Sequence, residues 1–149
     1  MGELFVPDPK GISYEDHTAD LWLVLKGSSM GDCIEKALNG LYGVIGSSFM
    51  LGSAEEGILE IKGRDAVEMM VDVLSEALYL MDAETTLIKD PEIKIEVKED
   101  EVELHMSFIK AGFSIPEGKG GMEVKAVSYH GAYLESEGDH WKGRVLLDI

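Results

Sequence analysis

Cysteine is nearly absent from this chain: Cys33 is the single thiol among 149 residues. One thiol cannot close an internal disulfide, which excludes a disulfide scaffold and a cysteine-ligated zinc site. Cys33 itself lies in an apolar-periodic stretch and is expected to be a buried structural thiol rather than a nucleophile. Long apolar runs are missing too. None approaches the ~18–20 residues that a membrane-spanning helix needs. Met1-Gly2-Glu3-Leu4-Phe5-Val6 has neither the positive region nor the apolar stretch of a secretory signal, and Val6 stands where a myristoylation motif needs Ser or Thr. The expected compartment is the cytoplasm. Positive charge is scarce, with 13 Lys and Arg against 29 Asp and Glu for a net charge of -16. Such a chain repels a phosphate backbone at long range, and no Lys/Arg cluster offers counterion release. It is expected to meet a basic protein rather than to bind nucleic acid tightly, unless the acidity only maintains solubility.

Catalytic signatures are lacking as well. Gly118-Lys119-Gly120-Gly121 has neither P-loop nor dinucleotide-binding spacing, and no helical pattern follows it, so it reads as a mobile loop. Asp16-His17-Thr18-Ala19-Asp20 holds one histidine and not the pair that a zinc-binding helix face requires. Ser128 and His130 share a strand face by spacing, but no nucleophile elbow or positioned acid accompanies them.

What is present fits one soluble domain. The composition is 45% hydrophobic and 28% charged, and no repeat or linker divides the chain. A domain of this length buries roughly 68–70% of the surface its unfolded chain exposes. Residues 1–10, with Pro7 and Pro9, read as an irregular extension. Leu21–Leu25 is apolar enough for a buried strand. Gly27-Ser28-Ser29 offers a turn and an N-cap for a helix with Ile34, Ala37, Leu38, Leu41 and Ile45 on one stripe, ending near Gly46-Ser47-Ser48. Gly40, Gly43 and Gly46 weaken that helix by ~1 kcal/mol each, so tertiary packing must support it. Ile58–Ile61 is a short strand candidate. A second helix starts at Asp65 with Glu68 in capping-box spacing, and Val67, Met70, Val71, Leu74, Leu78 and Met81 follow its period. Beyond Thr86 the period becomes two: Ile93, Ile95 and Val97, a turn at Glu99-Asp100, then Val102, Leu104 and Met106. Met122–Leu134, interrupted at Gly131, and Trp141–Asp148 complete the strands. The expected fold class is α+β, a single domain (1–149) with two main helices packed on a largely antiparallel β-sheet.

Two places hold carboxylates that this pattern does not explain. Asp16 and Asp20 flank His17 just before the first strand, where an Asx turn is the plainer explanation. At the other end, apolar Val145-Leu146-Leu147 runs into Asp148 and Ile149. If that strand is docked, Asp148, backbone carbonyls and the terminal carboxylate make an oxygen-only cluster. Oxygen clusters suit hard cations such as Ca²⁺ or Mg²⁺, and Mn²⁺ is equally accepted.

Four segments carry a resemblance to a known family. Asp16-His17-Thr18-Ala19-Asp20-Leu21, Ser75–Glu84, Val124–His130 and Val145–Ile149 resemble the archease motifs, in order and at fitting distances across residues 16–149. The sequence departs from the family pattern at Ser128, often Thr, at Ala77, usually bulkier, and in its glycine-rich first helix. The resemblance implies a non-enzymatic accessory of the RtcB-type RNA ligase of tRNA splicing, promoting guanylylation and multiple turnover. It implies a divalent metal, calcium above Mg or Mn, held by Asp20, Asp148 and Ile149. Asp16, His17 and Lys125 would support that site. A chaperone for a tRNA-modifying methyltransferase and a metal-dependent hydrolase are the alternatives.

Overall fold

The computed structural model describes residues 2–17 and 19–149, with His17 described by its backbone alone. Ten elements follow one another: β1 (Leu4–Phe5), β2 (Ile12–His17), β3 (Asp20–Gly27), α1 (Met30–Ile45), β4 (Phe49–Gly63), α2 (Ala66–Glu84), β5 (Thr86–Val97), β6 (Val102–Ser114), β7 (Ala126–Glu137) and β8 (His140–Asp148). All strand pairs are antiparallel, as the α+β expectation required, but they divide into two four-stranded sheets, β1-β4-β6-β5 and β2-β3-β8-β7. Both helices contact strands of both sheets, so one hydrophobic core joins the two layers through them. That double coverage explains why α2 is buried over most of its circumference, from Met69 to Met81. No helix among the described residues is long and apolar enough to cross a membrane.

Local chemistry sets the helix ends where the sequence placed them. Ser29 caps α1 by accepting from the Asp32 amide at 3.0 Å, and Asp65 caps α2 by accepting from the Glu68 amide at 2.9 Å. Glu68 returns a bond to the Arg64 amide and pairs with its guanidinium at 2.7 Å. At its other end α2 closes on Thr85 in the left-handed conformation, φ 52° and ψ 47°.

The glycines of α1 have a packing role. A Cβ on Gly40 would drive into the Leu23 side chain of β3, so the missing methyl lets helix and sheet approach. Tyr14 of β2 donates to the Gly40 carbonyl at 3.0 Å over the same surface. The Gly118–Gly121 segment, expected to be a mobile loop, is instead fastened to the end of α1. Gly121 and Met122 donate their amides to Ile45 and Val44 at 2.8 Å, and Ser47 donates to Lys119 at 2.8 Å. The bonds to Ile45 and Val44 satisfy carbonyls that a helix C-terminus leaves without partners. Gly121 is required there because a Cβ would collide with the Val44 carbonyl oxygen.

Three further expectations change in the structure. The N-terminal segment contains β1, which pairs with Met50 and Phe49, because Phe5 packs at 6.0 Å between ring centroids on both Tyr42 and Phe49. Asp16 and His17, expected in a turn before the next strand, belong to a strand of their own, β2 (Ile12–His17). The short strand expected at Ile58–Ile61 lies in the second half of a 15-residue β4.

Candidate functional site

The site is built on the face of the β2-β3-β8-β7 sheet that points away from the helices. Along β3 the alternation is strict: Leu21, Leu23 and Leu25 are buried, while Asp20, Trp22 and Val24 are half-buried on the opposite face. Asp20 stands opposite His17 of β2 on one side and Asp148 of β8 on the other, and Asp148 stands opposite Ala126 of β7. Directly opposed residues of antiparallel strands have Cα atoms ~4.5–5.5 Å apart and side chains on the same face. The two aspartates, far apart in the chain, thus present their carboxylates side by side.

Lys125 joins this end through its backbone, donating its amide to the Asp148 carbonyl at 2.7 Å, while its side chain is exposed. Ile149 is partly buried against the core, which fixes the chain just beyond Asp148. Asp16 is not brought to the pair. It stands opposite Leu21, so alternation puts it on the other face from Asp20. The role expected of His17 concerns a side chain that lies outside the described residues; its backbone is opposite Asp20. Among the described residues, no three His, Cys, Asp or Glu side chains converge on a possible metal. Among the described residues the donors that assemble are carboxylate and backbone oxygens, which suit a hard cation. A full shell of ~6–8 oxygens needs water, backbone or partner groups besides Asp20 and Asp148.

Two residues further along the same face lies a cluster that sequence reasoning missed. The Arg144 guanidinium lies 4.0 Å over the Trp22 ring and 5.5 Å from that of Tyr133, and its Nε donates to the Gly131 carbonyl at 3.0 Å. The bulge between Ser128 and Tyr133, with Gly131 at φ 66°, folds the β7 backbone over Trp22. Ser128 and His130 both lie in β7 at this irregularity, and the His130 amide donates to Ser128 Oγ at 3.1 Å. On its far side, Tyr129 donates to Asp72 of α2 at 2.7 Å, and this bond, with some burial, pushes the phenol up to about 12. The period-2 spacing of Asp20 and Trp22 was the available signal; what placed Arg144 beside them was the register.

An α+β architecture of two antiparallel sheets around two helices, with paired aspartates at one end of a sheet face, narrows the class of protein, and comparison supplies the family. Residues 13–149 match the archease protein family, and the chain belongs to it. It is 33% identical over 141 residues to protein archease of Methanothermobacter thermautotrophicus, covering 94% of this chain and 99% of that protein. It is 28% identical to protein archease of Pyrococcus furiosus, covering 90% of this chain and 95% of that one. A Methanobacterium thermoautotrophicum protein solved in solution superposes with a TM-score of 0.75 at 32% identity over 94% of this chain and 99% of its own. A Thermotoga maritima archease, described as a possible chaperone, shares the fold with a TM-score of 0.60 at 24% identity, over 91% of this chain and 94% of its own.

Proposed function

We propose that this chain is a non-enzymatic accessory of an RtcB-type RNA ligase, promoting its guanylylation and repeated turnover in tRNA splicing. The observation that carries the proposal is the pairing of Asp20 with Asp148 on one exposed sheet end, in a chain of the archease family. Asp20, Asp148 and an Ile149 backbone oxygen would hold a divalent cation, calcium, magnesium or manganese. When bound, the ion supplies positive charge that offsets the paired carboxylates. The chain's own residues do the rest. Cross-strand pairing holds the two carboxylates in register, the Lys125 amide fixes the Asp148 backbone, and Arg144 with Trp22 adds a rigid aromatic and cationic surface beside them. Trp, Tyr and Arg are the residue types that dominate protein interfaces. A face of this kind acts on a partner only through a difference in its affinity for the partner's two states.

The test is multiple-turnover RNA ligation by the cognate ligase with the wild-type chain, with Asp20→Ala and with Asp148→Ala. Stimulation by the wild type and its loss in both variants, with unchanged circular dichroism, is the expected result. Full stimulation by both variants would falsify the acidic-face mechanism. A second reading follows from the description of the Thermotoga maritima relative as a possible chaperone. It predicts suppression of client aggregation, for instance of a tRNA-modifying methyltransferase, with no dependence on nucleotide or cation.

A further inference from the structure

From Ala54 to Gly63, β4 pairs without a register shift with β6 along one edge. Along its other edge β4 meets Leu4 and Phe5 of β1 at its first two residues, and the Leu51 amide donates to the Glu3 carbonyl at 2.7 Å. The stretch beyond is therefore an open sheet edge among the described residues. The opposite edge of the same sheet is blunted: β5 carries Pro91, Asp90 at φ 50° and a register shift between Lys89 and Glu92. Nothing comparable interrupts β4 from Ala54 onward.

The side chains of that open edge are patterned. Glu56, Ile58 and Glu60 alternate onto one face, and Ile58 is 79% exposed, the highest value of any large apolar residue described. A groove of about 280 Å³ runs along this edge toward α2, with Ile58, Leu59, Leu80 and Phe108 as apolar lining and Glu55, Glu56 and Glu76 as acidic lining. The lysines nearby are already engaged. Lys110 pairs with Glu84 and, at 3.9 Å, with Glu55, while Lys62 pairs with Glu103 at 3.2 Å.

An open, regular strand edge offers main-chain hydrogen bonds to an added strand, and the alternate side chains select which one. Two copies of this chain are a poor match. A two-fold antiparallel pairing about Ile58 sets Glu56 against Glu60 of the second copy, and directly opposed like charges destabilise a sheet. We infer that the edge of β4 from Glu55 to Lys62 is a strand-addition site for an extended basic peptide segment with the pattern Lys/Arg-x-apolar-x-Lys/Arg. Its cations face Glu56 and Glu60, its central apolar residue covers Ile58, and the intervening side chains enter the groove beside α2. The site lies on the other sheet from Asp20 and Asp148 and does not depend on them.

The experiment uses the full chain and a synthetic peptide with a Lys-Thr-Val-Thr-Lys core. Its controls are the same peptide with Glu for Lys, and one with alternate backbone amides N-methylated. Affinity is read by titration, and location by amide hydrogen exchange resolved by residue. Saturable binding of the lysine peptide, with new protection confined to residues between Ala54 and Gly63, is expected. Glu56→Lys combined with Glu60→Lys should weaken it at least about tenfold, since each opposite-charge pair becomes a like-charge pair. Both sites are exposed, so the variant's exchange pattern elsewhere reports an intact fold. Equal binding by the N-methylated peptide would show attraction without strand addition and overturn the inference. Protection centred on Asp20 and Asp148, undiminished affinity in the double variant, or no binding of the lysine peptide would overturn it equally.

Discussion

Replacing Asp148 by Asn tests the cation site through stability alone, with no need for the ligase. Asp20 and Asp148 are directly opposed across an antiparallel pair. Like charges in that relation destabilise a sheet by roughly 0.2–1 kcal/mol relative to a neutral pair. Asn is nearly isosteric and removes one charge, so the cation-free variant should be the more stable protein by that amount. For a domain of this size, 1 kcal/mol shifts the melting temperature by about 2–4 °C. In chelator and low salt the variant should therefore melt about 0.5–4 °C above the wild type. Adding a cation at a hundredfold excess over its dissociation constant contributes about 2.7 kcal/mol to the protein that binds it, or about 5–11 °C. The wild type should gain that rise, and the variant, with one charged ligand fewer, clearly less. The order of the two melting temperatures thus inverts between chelator and saturating cation. Calorimetric scans of both proteins with chelator, Ca²⁺, Mg²⁺ and Mn²⁺ make the comparison. Equal shifts in wild type and variant for every ion, or the same order of stability throughout, refutes the assignment of Asp148 as a ligand.

Other expectations concern the framework that positions this face. Tyr42 is buried and its hydroxyl accepts the Ile88 amide at 2.8 Å, joining α1 to β5. Tyr42→Phe keeps the ring but leaves that buried N–H without its partner, costing about 1–3 kcal/mol in urea unfolding with an unchanged slope; a loss under 0.5 kcal/mol would count against the bond. Thr85 is exposed and β-branched in the left-handed conformation, so Thr85→Gly should stabilise by about 0.5–1 kcal/mol after the added freedom of the unfolded chain is subtracted, as read by the urea midpoint. Burial, reinforced by Asp32, pushes the Cys33 thiol up to about 11. Because the folded value lies above the ordinary ~8.5 of an unfolded thiol, its contribution to stability is complete below that pH and is lost as pH rises toward 11. Native Cys33 should therefore stay inert to a thiol reagent at pH 8 and react when denaturant is added; rapid labelling of the native protein would contradict its burial.

Much of this molecule is legible in the sequence because it is decided locally. Ser29 and Asp65 cap helices through bonds that span three residues, and the Glu99-Asp100 turn joins two alternating runs, with the Lys98 amide donating to Glu101 at 2.8 Å. The 3.6 and 2.0 periods of the apolar residues fix which face of each element is buried, since only that face can leave water. The aspartates were conspicuous for the same reason, being carboxylates beside apolar runs. The order of strands is not local. A period of two says which way Trp22 and Arg144 point but not which strand lies alongside, so the division into two sheets and the stacking of that pair were invisible. The span of β4 was missed because Glu55, Glu56 and Gly57 break the alternation where one edge is open and little burial enforces it. The Gly118–Gly121 loop resembled any mobile glycine segment until the end of α1 supplied carbonyls for its amides. Sequence alone determined the helices, their caps and the two acidic positions. Only the tertiary structure decided that Asp20 and Asp148 face one another, because pairing between remote strands is settled by the register that buries Leu21, Leu23, Val145 and Leu147 together.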